Sequence, residues 1–260
     1  MARDEVRRAH MLTKGYIRAW ADERNRVDVI DMIRNRGYLS SVNNATVRSY
    51  AYEPNVLSHD LEQDYSIVES QGIQAISKLR GADPTLDADA VAAMISYLDV
   101  HLDRGRYADQ TEIRTPAVLL KTDRTIQDVE FNVADRLLLS QSMKDVVRLK
   151  ALGLESWEWR ILPGEFVTGD GAVLLFREAE GADVCTVAFP VSPTQLVLIG
   201  KPFEGPVPLN PLIASKSRRW LVGRPGSLRR GVLGPIDSTI VPVDDVESIL
   251  TDVRETASEG

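Results

Sequence analysis

Four residues have side chains and spacings that suit acid–base or metal chemistry: His10, Glu62, Glu69 and Asp170. Cations close to His10 in the chain lower the pKa of an imidazole, so the neutral ring can act as a base or a ligand. The two glutamates are seven residues apart, about two helical turns, so both leave one face of a helix. Carboxylates together with one imidazole suit Mg²⁺ or Mn²⁺.

Each candidate also has a structural explanation. A histidine near a helix end can bond a backbone carbonyl, and half-buried glutamates often pair with arginines of a neighbouring helix. Asp170 lies in Thr-Gly-Asp-Gly, where an aspartate readily accepts hydrogen bonds from turn amides. We therefore expect residues 166–176 to form an antiparallel hairpin with Asp170 in its turn. We also expect His10 to pack against the glutamate-bearing helix, with nearby cations pairing with those glutamates: Arg7, Arg8 and Arg18.

Residues 205–236 contain six basic side chains and no acidic one: Lys216, Arg218, Arg219, Arg224, Arg229 and Arg230. The whole chain has a formal net charge of −7, so this segment stands out. It predicts phosphate or nucleic-acid contact through residues 216–230. The expected binding residues are Arg18, Lys216, Arg218, Arg219 and Trp220, the last by stacking on a base. The alternative is that the basic face docks onto the protein's own acidic surface.

The absence of known sequence motifs from the 260 residues excludes several types of functional site. There is no G-x-x-x-x-G-K-[ST], G-x-G-x-x-G, H-E-x-x-H or G-x-S-x-G motif. The single cysteine, Cys185, excludes a disulfide within the chain and a zinc site with several cysteines. Cys185 lies in an apolar run and is expected to be a packing residue, and His101 is expected to be a structural or surface histidine and not a catalytic one.

Apolar spacing divides the chain into elements. Helices are expected at about 7–21, 58–81, 87–103, 125–152, 211–222 and 243–256. Ser58 or Asp60 is the expected cap of the second helix. Strand patterns occur near 26–32, 38–44, 157–161, 165–176, 184–191 and 194–200.

This order predicts an α+β fold. Residues 1–152 would be mainly helical with a small hairpin, and residues 153–260 would form an antiparallel sheet with C-terminal helices. We expect one two-lobed domain over 1–260. The sequence has no apolar run long enough for a membrane helix and no signal peptide, so a soluble, cytoplasmic protein is expected.

Short motifs spread along most of the chain resemble a bacterial and phage family, the domain of unknown function numbered 4238. RAHMLTKGYIRAW is similar to its His-x-x-Pro-x-x-Tyr-Leu-Arg opening, FVTGDGAV to its Thr-Ser-Asp-x-Pro turn, and FPVSPTQLVLIG to its Pro-Leu-Ser-Pro strand. The chain departs from these motifs at Thr13, Gly169 and Ala172. The resemblance implies an α+β fold and no established activity.

Two function classes follow. The first is a binding or regulatory module, which the family resemblance would connect to mobile elements or phage defence. The second is a metal-dependent hydrolase of a phosphate-containing or nucleic-acid substrate, with Mg²⁺ or Mn²⁺ held by the four candidates. The sequence favours the module slightly, with no evident cofactor. The enzyme requires residues from three separate segments to converge.

Overall fold

The computed structural model describes residues 8–49, 51, 54–57, 59, 61–141, 143, 148–228 and 241–242. Its helices are α1 Lys14–Ile17, α2 Leu61–Leu79, α3 Ala88–Arg106, α4 Val133–Ser140 and α5 Leu209–Lys216. Its strands are β1 Arg8–His10, β2 Arg26–Asp31, β3 Arg36–Ser41, β4 Val47–Ser49, β5 Thr115–Leu120, β6 Ile126–Phe131, β7 Trp159–Pro163, β8 Thr168–Gly169, β9 Leu174–Arg177, β10 Val184–Ser192, β11 Gln195–Gly200, β12 Trp220–Gly223 and β13 Val241–Pro242.

The strands pair in antiparallel sheets. One sheet has the order β13-β9-β10-β11-β7, a second has the order β3-β2-β12-β8, and β1-β4 and β5-β6 are two-stranded. The second sheet joins distant parts of the chain, because β2 and β3 precede residue 152 while β8 and β12 follow it. Where the structure describes the chain, no helix has the length and apolar character needed to cross a membrane.

The predicted division into a mainly helical first part and a sheet-containing second part is wrong. Six strands, β1–β6, lie before residue 152, and helices and strands are interleaved. The expected helix over 7–21 is instead β1, the four-residue α1 and a 3₁₀ turn over Arg18–Trp20. The expected helix over 211–222 ends at Lys216 and is followed by β12. The expected helix over 243–256 and the capping residues Ser58 and Asp60 lie outside the described residues.

The expected long helix over 125–152 fails for a local reason. Asn132 begins α4 by a capping box: its side chain accepts from the amide of Asp135, and the Asp135 carboxylate accepts from the amide of Asn132, both at 3.0 Å. This cap fixes the start of α4 at Val133, and residues 126–131 before it pair with β5 as strand β6 instead of forming helix. Helices α2 and α3, the β2–β3 pair, and strands β7, β10 and β11 agree with the sequence-based prediction.

The core brings α1, α3 and β10 together through aromatic rings. Tyr16 stacks on Phe189 with ring centroids 4.9 Å apart, and His101 meets the same Phe189 edge-on at 5.2 Å. The buried Tyr16 hydroxyl donates to the Pro190 carbonyl at 2.7 Å and lies 2.6 Å from Thr168 Oγ1. This packing explains why His101 is structural: its Nε2 lies 2.9 Å from the Gly169 carbonyl and therefore donates to it.

Burial of His101 predicts acid sensitivity. Desolvation lowers the pKa of the imidazole from 6.5 to about 4, whereas an unfolded histidine binds a proton below about 6.5. The stability that this neutral ring contributes is present above pH 6.5 and is lost as the pH falls to about 4. Relative to His101→Gln, the wild type should lose about 3 kcal/mol of unfolding free energy over that window, measured by urea titration. A difference that does not change with pH would contradict the neutral buried ring.

Candidate functional site

A cleft of about 600 Å³ lies between the β1–α1 segment and α2. Gly15 brings α1 close to α2 there, since a Cβ at that position would lie 3.3 Å from the Ile73 side chain. The cleft is lined mainly by polar and charged side chains: His10, Thr13, Lys14, Gly15, Glu62, Tyr65, Ser66, Glu69, Ser70, Ile73, Gln74 and Arg104. Its volume falls within the usual range for small-molecule sites.

Three of the four predicted catalytic residues line this cleft: His10, Glu62 and Glu69. His10 ends strand β1 opposite Val47 of β4, so its predicted place in a helix is wrong. The glutamates lie on α2 as expected, and their spacing of seven residues directs both to the cleft. Asp170 is not among the lining residues.

Glu69 is engaged by the protein itself. Its Oε1 accepts hydrogen bonds from Thr13 Oγ1 at 2.8 Å and from Arg104 Nη1. Arg104 is buried, and its guanidinium lies 4.5 Å from the centre of the Tyr65 ring. The arginine that pairs with Glu69 thus comes from α3, not from the first segment of the chain. Sequence reasoning missed Arg104, and the only available signal was a cation near the end of an amphipathic helix.

The other polar side chains that line the cleft differ in their exposure to solvent. Ser66 and Ser70 are exposed on α2, while Lys14 and Glu62 are half-buried. A cation, a carboxylate and hydroxyl groups therefore share one concave surface. This combination can bind a small molecule that carries both an anionic group and hydrogen-bond donors. Within the described part of the chain, no three His, Cys, Asp or Glu side chains are grouped to hold a metal ion.

Asp170 anchors a loop instead of organising a hairpin. Strand β8 pairs with β12, and β9 pairs with β10, so the predicted hairpin over 166–176 is wrong. The Asp170 carboxylate accepts hydrogen bonds from three consecutive backbone amides: those of Arg218 at 2.6 Å, Arg219 at 2.9 Å and Trp220 at 2.7 Å. The predicted acceptance from amides is present, but the donors come from the segment between α5 and β12.

The surroundings of Asp170 are tightly packed. A Cβ at Gly105 would lie 2.2 Å from the Asp170 carbonyl oxygen, and a Cβ at Gly171 would lie 2.2 Å from the Lys216 carbonyl carbon. Burial raises the pKa of the Asp170 carboxyl to about 7, and the amide donors offset only part of that rise. The Thr-Gly-Asp-Gly motif is therefore the joint between α3 and the α5–β12 loop, and its glycines permit the close approach.

The basic segment is turned largely inward. Arg219 is 1% exposed, and its Nη1 donates to Thr111 Oγ1 at 2.6 Å. Arg218 Nη1 lies 3.6 Å from Asp109 Oδ2. Trp220 is also 1% exposed, so its ring is not accessible for stacking on a base. These positions match the alternative in which the segment docks onto the protein's own acidic groups. Lys216 is half-buried, Arg18 and Arg224 are exposed, and Arg229 and Arg230 lie outside the described residues.

No protein-family model matches the chain, and neither the curated proteins nor the solved structures contain a match. The resemblance to the family numbered 4238 accordingly stays a prediction.

Proposed function

We propose that this protein is a binding or regulatory module that takes a small polar ligand in the cleft between α1 and α2. The observation that carries the proposal is the cleft itself, where Lys14, Glu62 and two exposed serines share a concave surface of ligand size. Lys14 would pair with an anionic group, and Glu62 would accept hydrogen bonds from the ligand. Free amino acids are the simplest ligands with both features.

The ion pair between half-buried Glu69 and buried Arg104 supports this proposal by giving the cleft a rigid floor. Arg104 is 3% exposed, and Glu69 is held by Thr13 as well. A charged pair fixed in this way keeps the surrounding side chains in place before a ligand arrives. We also propose a cytoplasmic location, because one cysteine in 260 residues suits a reducing compartment. A role in mobile-element or phage-defence biology belongs to the same proposal and derives from the family resemblance.

The cleft proposal predicts stabilisation by a ligand. In thermal unfolding with each free amino acid as the probe, at least one should raise Tm. The corresponding gain in unfolding free energy should be up to about 3 kcal/mol at a ligand concentration about a hundredfold above Kd. Ser70→Trp should remove that shift, because the indole would fill the cleft. Ser77→Trp is the matched control, since Ser77 is exposed on the same helix and does not line the cleft. A shift that survives Ser70→Trp, or no shift with any probe, would count against the proposal.

The alternative, a hydrolase that uses Mg²⁺ or Mn²⁺, requires Asp170 to join the other three candidates. In this structure the Asp170 carboxylate bonds three backbone amides instead. Calorimetric titration with Mn²⁺ separates the two functions: binding that His10→Ala removes would support the hydrolase.

A further inference from the structure

Three arginines converge on one carboxylate oxygen near the end of β2. We call Arg34, Arg48 and Arg219 the arginine cluster. Glu112 Oε1 lies 3.0 Å from Arg48 Nη1, 3.1 Å from Arg219 Nη2 and 3.5 Å from Arg34 Nη2. A single acceptor atom therefore serves three guanidinium groups that come from three different segments.

A second carboxylate, that of Asp31, forms ion pairs with the arginine cluster from the protein interior. Asp31 Oδ2 lies 3.7 Å from both Arg219 Nε and Arg48 Nη2, and its side chain is 4% exposed. The Glu112 side chain is 60% exposed. Since exposed ion pairs contribute only about 0–1 kcal/mol, Glu112 is the weakly held member and Asp31 the fixed one. Without Glu112, three cations would face one carboxylate.

The cluster has three guanidinium groups but only one Glu112 oxygen within 4 Å of them. Arg219 Nε and Arg48 Nε are both buried and make no hydrogen bond with any atom that the structure describes, and Arg219 Nε faces Asp31 Oδ2 at the longer distance of 3.7 Å. The Arg219 guanidinium is 1% exposed and lies 4.7 Å from the centre of the Trp220 ring, so the protein holds it in one position. Because Glu112 Oε1 is shared by all three guanidinium groups, an anion with several oxygens would give them more charge-assisted hydrogen bonds than Glu112 provides.

We propose that the arginine cluster is a binding site for a phosphoryl group, in which Glu112 takes the place of the anion in this structure. A phosphoryl group offers three or more oxygens in a tetrahedral arrangement, whereas Glu112 presents one oxygen to all three arginines. Guanidinium groups bind phosphate oxygens through two parallel hydrogen bonds. Binding displaces the exposed Glu112 into solvent and leaves Asp31 and Arg219 in place. This site is separate from the α1–α2 cleft, and neither proposal depends on the other.

The test is calorimetric titration of the full chain with inorganic phosphate. Glu112→Ala should bind phosphate about tenfold or more tighter than the wild type, because the competing carboxylate is gone. Glu178→Ala is the matched control: Glu178 is 62% exposed and also belongs to an ion pair, with Lys201. It makes the same change in net charge, and it should bind phosphate as the wild type does.

A second variant ties the effect to the cluster. Arg34 is 58% exposed, so Arg34→Ala in the Glu112→Ala background should fold and should lose most of the gained affinity. A parallel titration with glycerol phosphate distinguishes a phosphomonoester from the free ion as the preferred form. Equal affinity in the wild type and Glu112→Ala, or no binding by either at millimolar phosphate, would overturn the proposal. Tighter binding that Arg34→Ala leaves unchanged would also overturn it.

Discussion

Arg219→Glu should unfold the protein or lower its free energy of unfolding by more than about 4 kcal/mol. The side chain at this position is 1% exposed and lies within 4 Å of two carboxylates, Asp31 and Glu112. A glutamate there would place a buried negative charge beside Asp31 and Glu112 and would remove the buried guanidinium that pairs with both. Urea unfolding followed by circular dichroism measures the loss.

Two further variants separate charge from volume at this position. Arg224→Glu makes the same charge change on an exposed residue of the same segment and should alter stability by less than about 1 kcal/mol. Arg219→Met removes the charge while keeping a long side chain, and it should be less damaging than Arg219→Glu. If Arg219→Glu unfolds at the wild-type urea concentration, the inward orientation of the segment is refuted.

This result bears on the prediction that residues 216–230 bind a polyanion. The direct test of that prediction is to reverse the charges of Arg218 and Arg219 together and to measure heparin binding. Because Arg219 is buried, that double variant should lose its fold, so a loss of heparin binding would not identify a contact surface. Arg224 and Lys216 are the better positions for that experiment, since both are at least partly exposed.

The second large effect is expected at the Thr-Gly-Asp-Gly joint. Asp170→Ala should cost about 3–5 kcal/mol, since it leaves three consecutive backbone amides without their acceptor in a buried site. An aspartate that only organises an exposed turn would contribute much less. Chemical denaturation should show the loss, and amide hydrogen exchange should show faster opening of residues 218–220.

Asp123→Ala provides the matched control. Asp123 also accepts hydrogen bonds, from the amide of Thr125 at 2.9 Å and from its hydroxyl at 2.6 Å, but the site is exposed. Water can replace that acceptor, so the loss should be much smaller than for Asp170→Ala. Equal losses for Asp170→Ala and Asp123→Ala would show that the three amides of the α5–β12 loop find other acceptors.

Local patterns predicted some elements of this fold well and failed at others. Helices α2 and α3 are each 19 residues long and carry continuous apolar stripes, and both agree with the prediction. The prediction of one helix over 125–152 failed because the apolar residues of this segment belong to a strand and to a separate short helix, which begins at the Asn132 capping box. The prediction of a helix over 7–21 failed because β1 has three residues and α1 has four. Apolar periodicity carries little information at these lengths.

Local patterns likewise predicted one part of the candidate site and missed another. The spacing of Glu62 and Glu69 placed both on one face of α2, and the structure directs that face to a cleft that His10 also lines. Asp170 was singled out from its turn motif, but the motif could not show that its carboxylate bonds amides 48 to 50 residues further along the chain. Long-range pairing of this kind has no local signature.

By itself, the sequence determined the long amphipathic helices α2 and α3, strands β7, β10 and β11, and the charge contrast of residues 205–236. These follow from periodicity and composition, which act over a few residues. Only the tertiary structure decided which charges meet: Arg104 with Glu69, and Arg219 with Asp31 and Glu112. The physical reason is that a charged side chain enters the interior only where distant segments supply its partner, and that choice depends on how the helices and sheets pack.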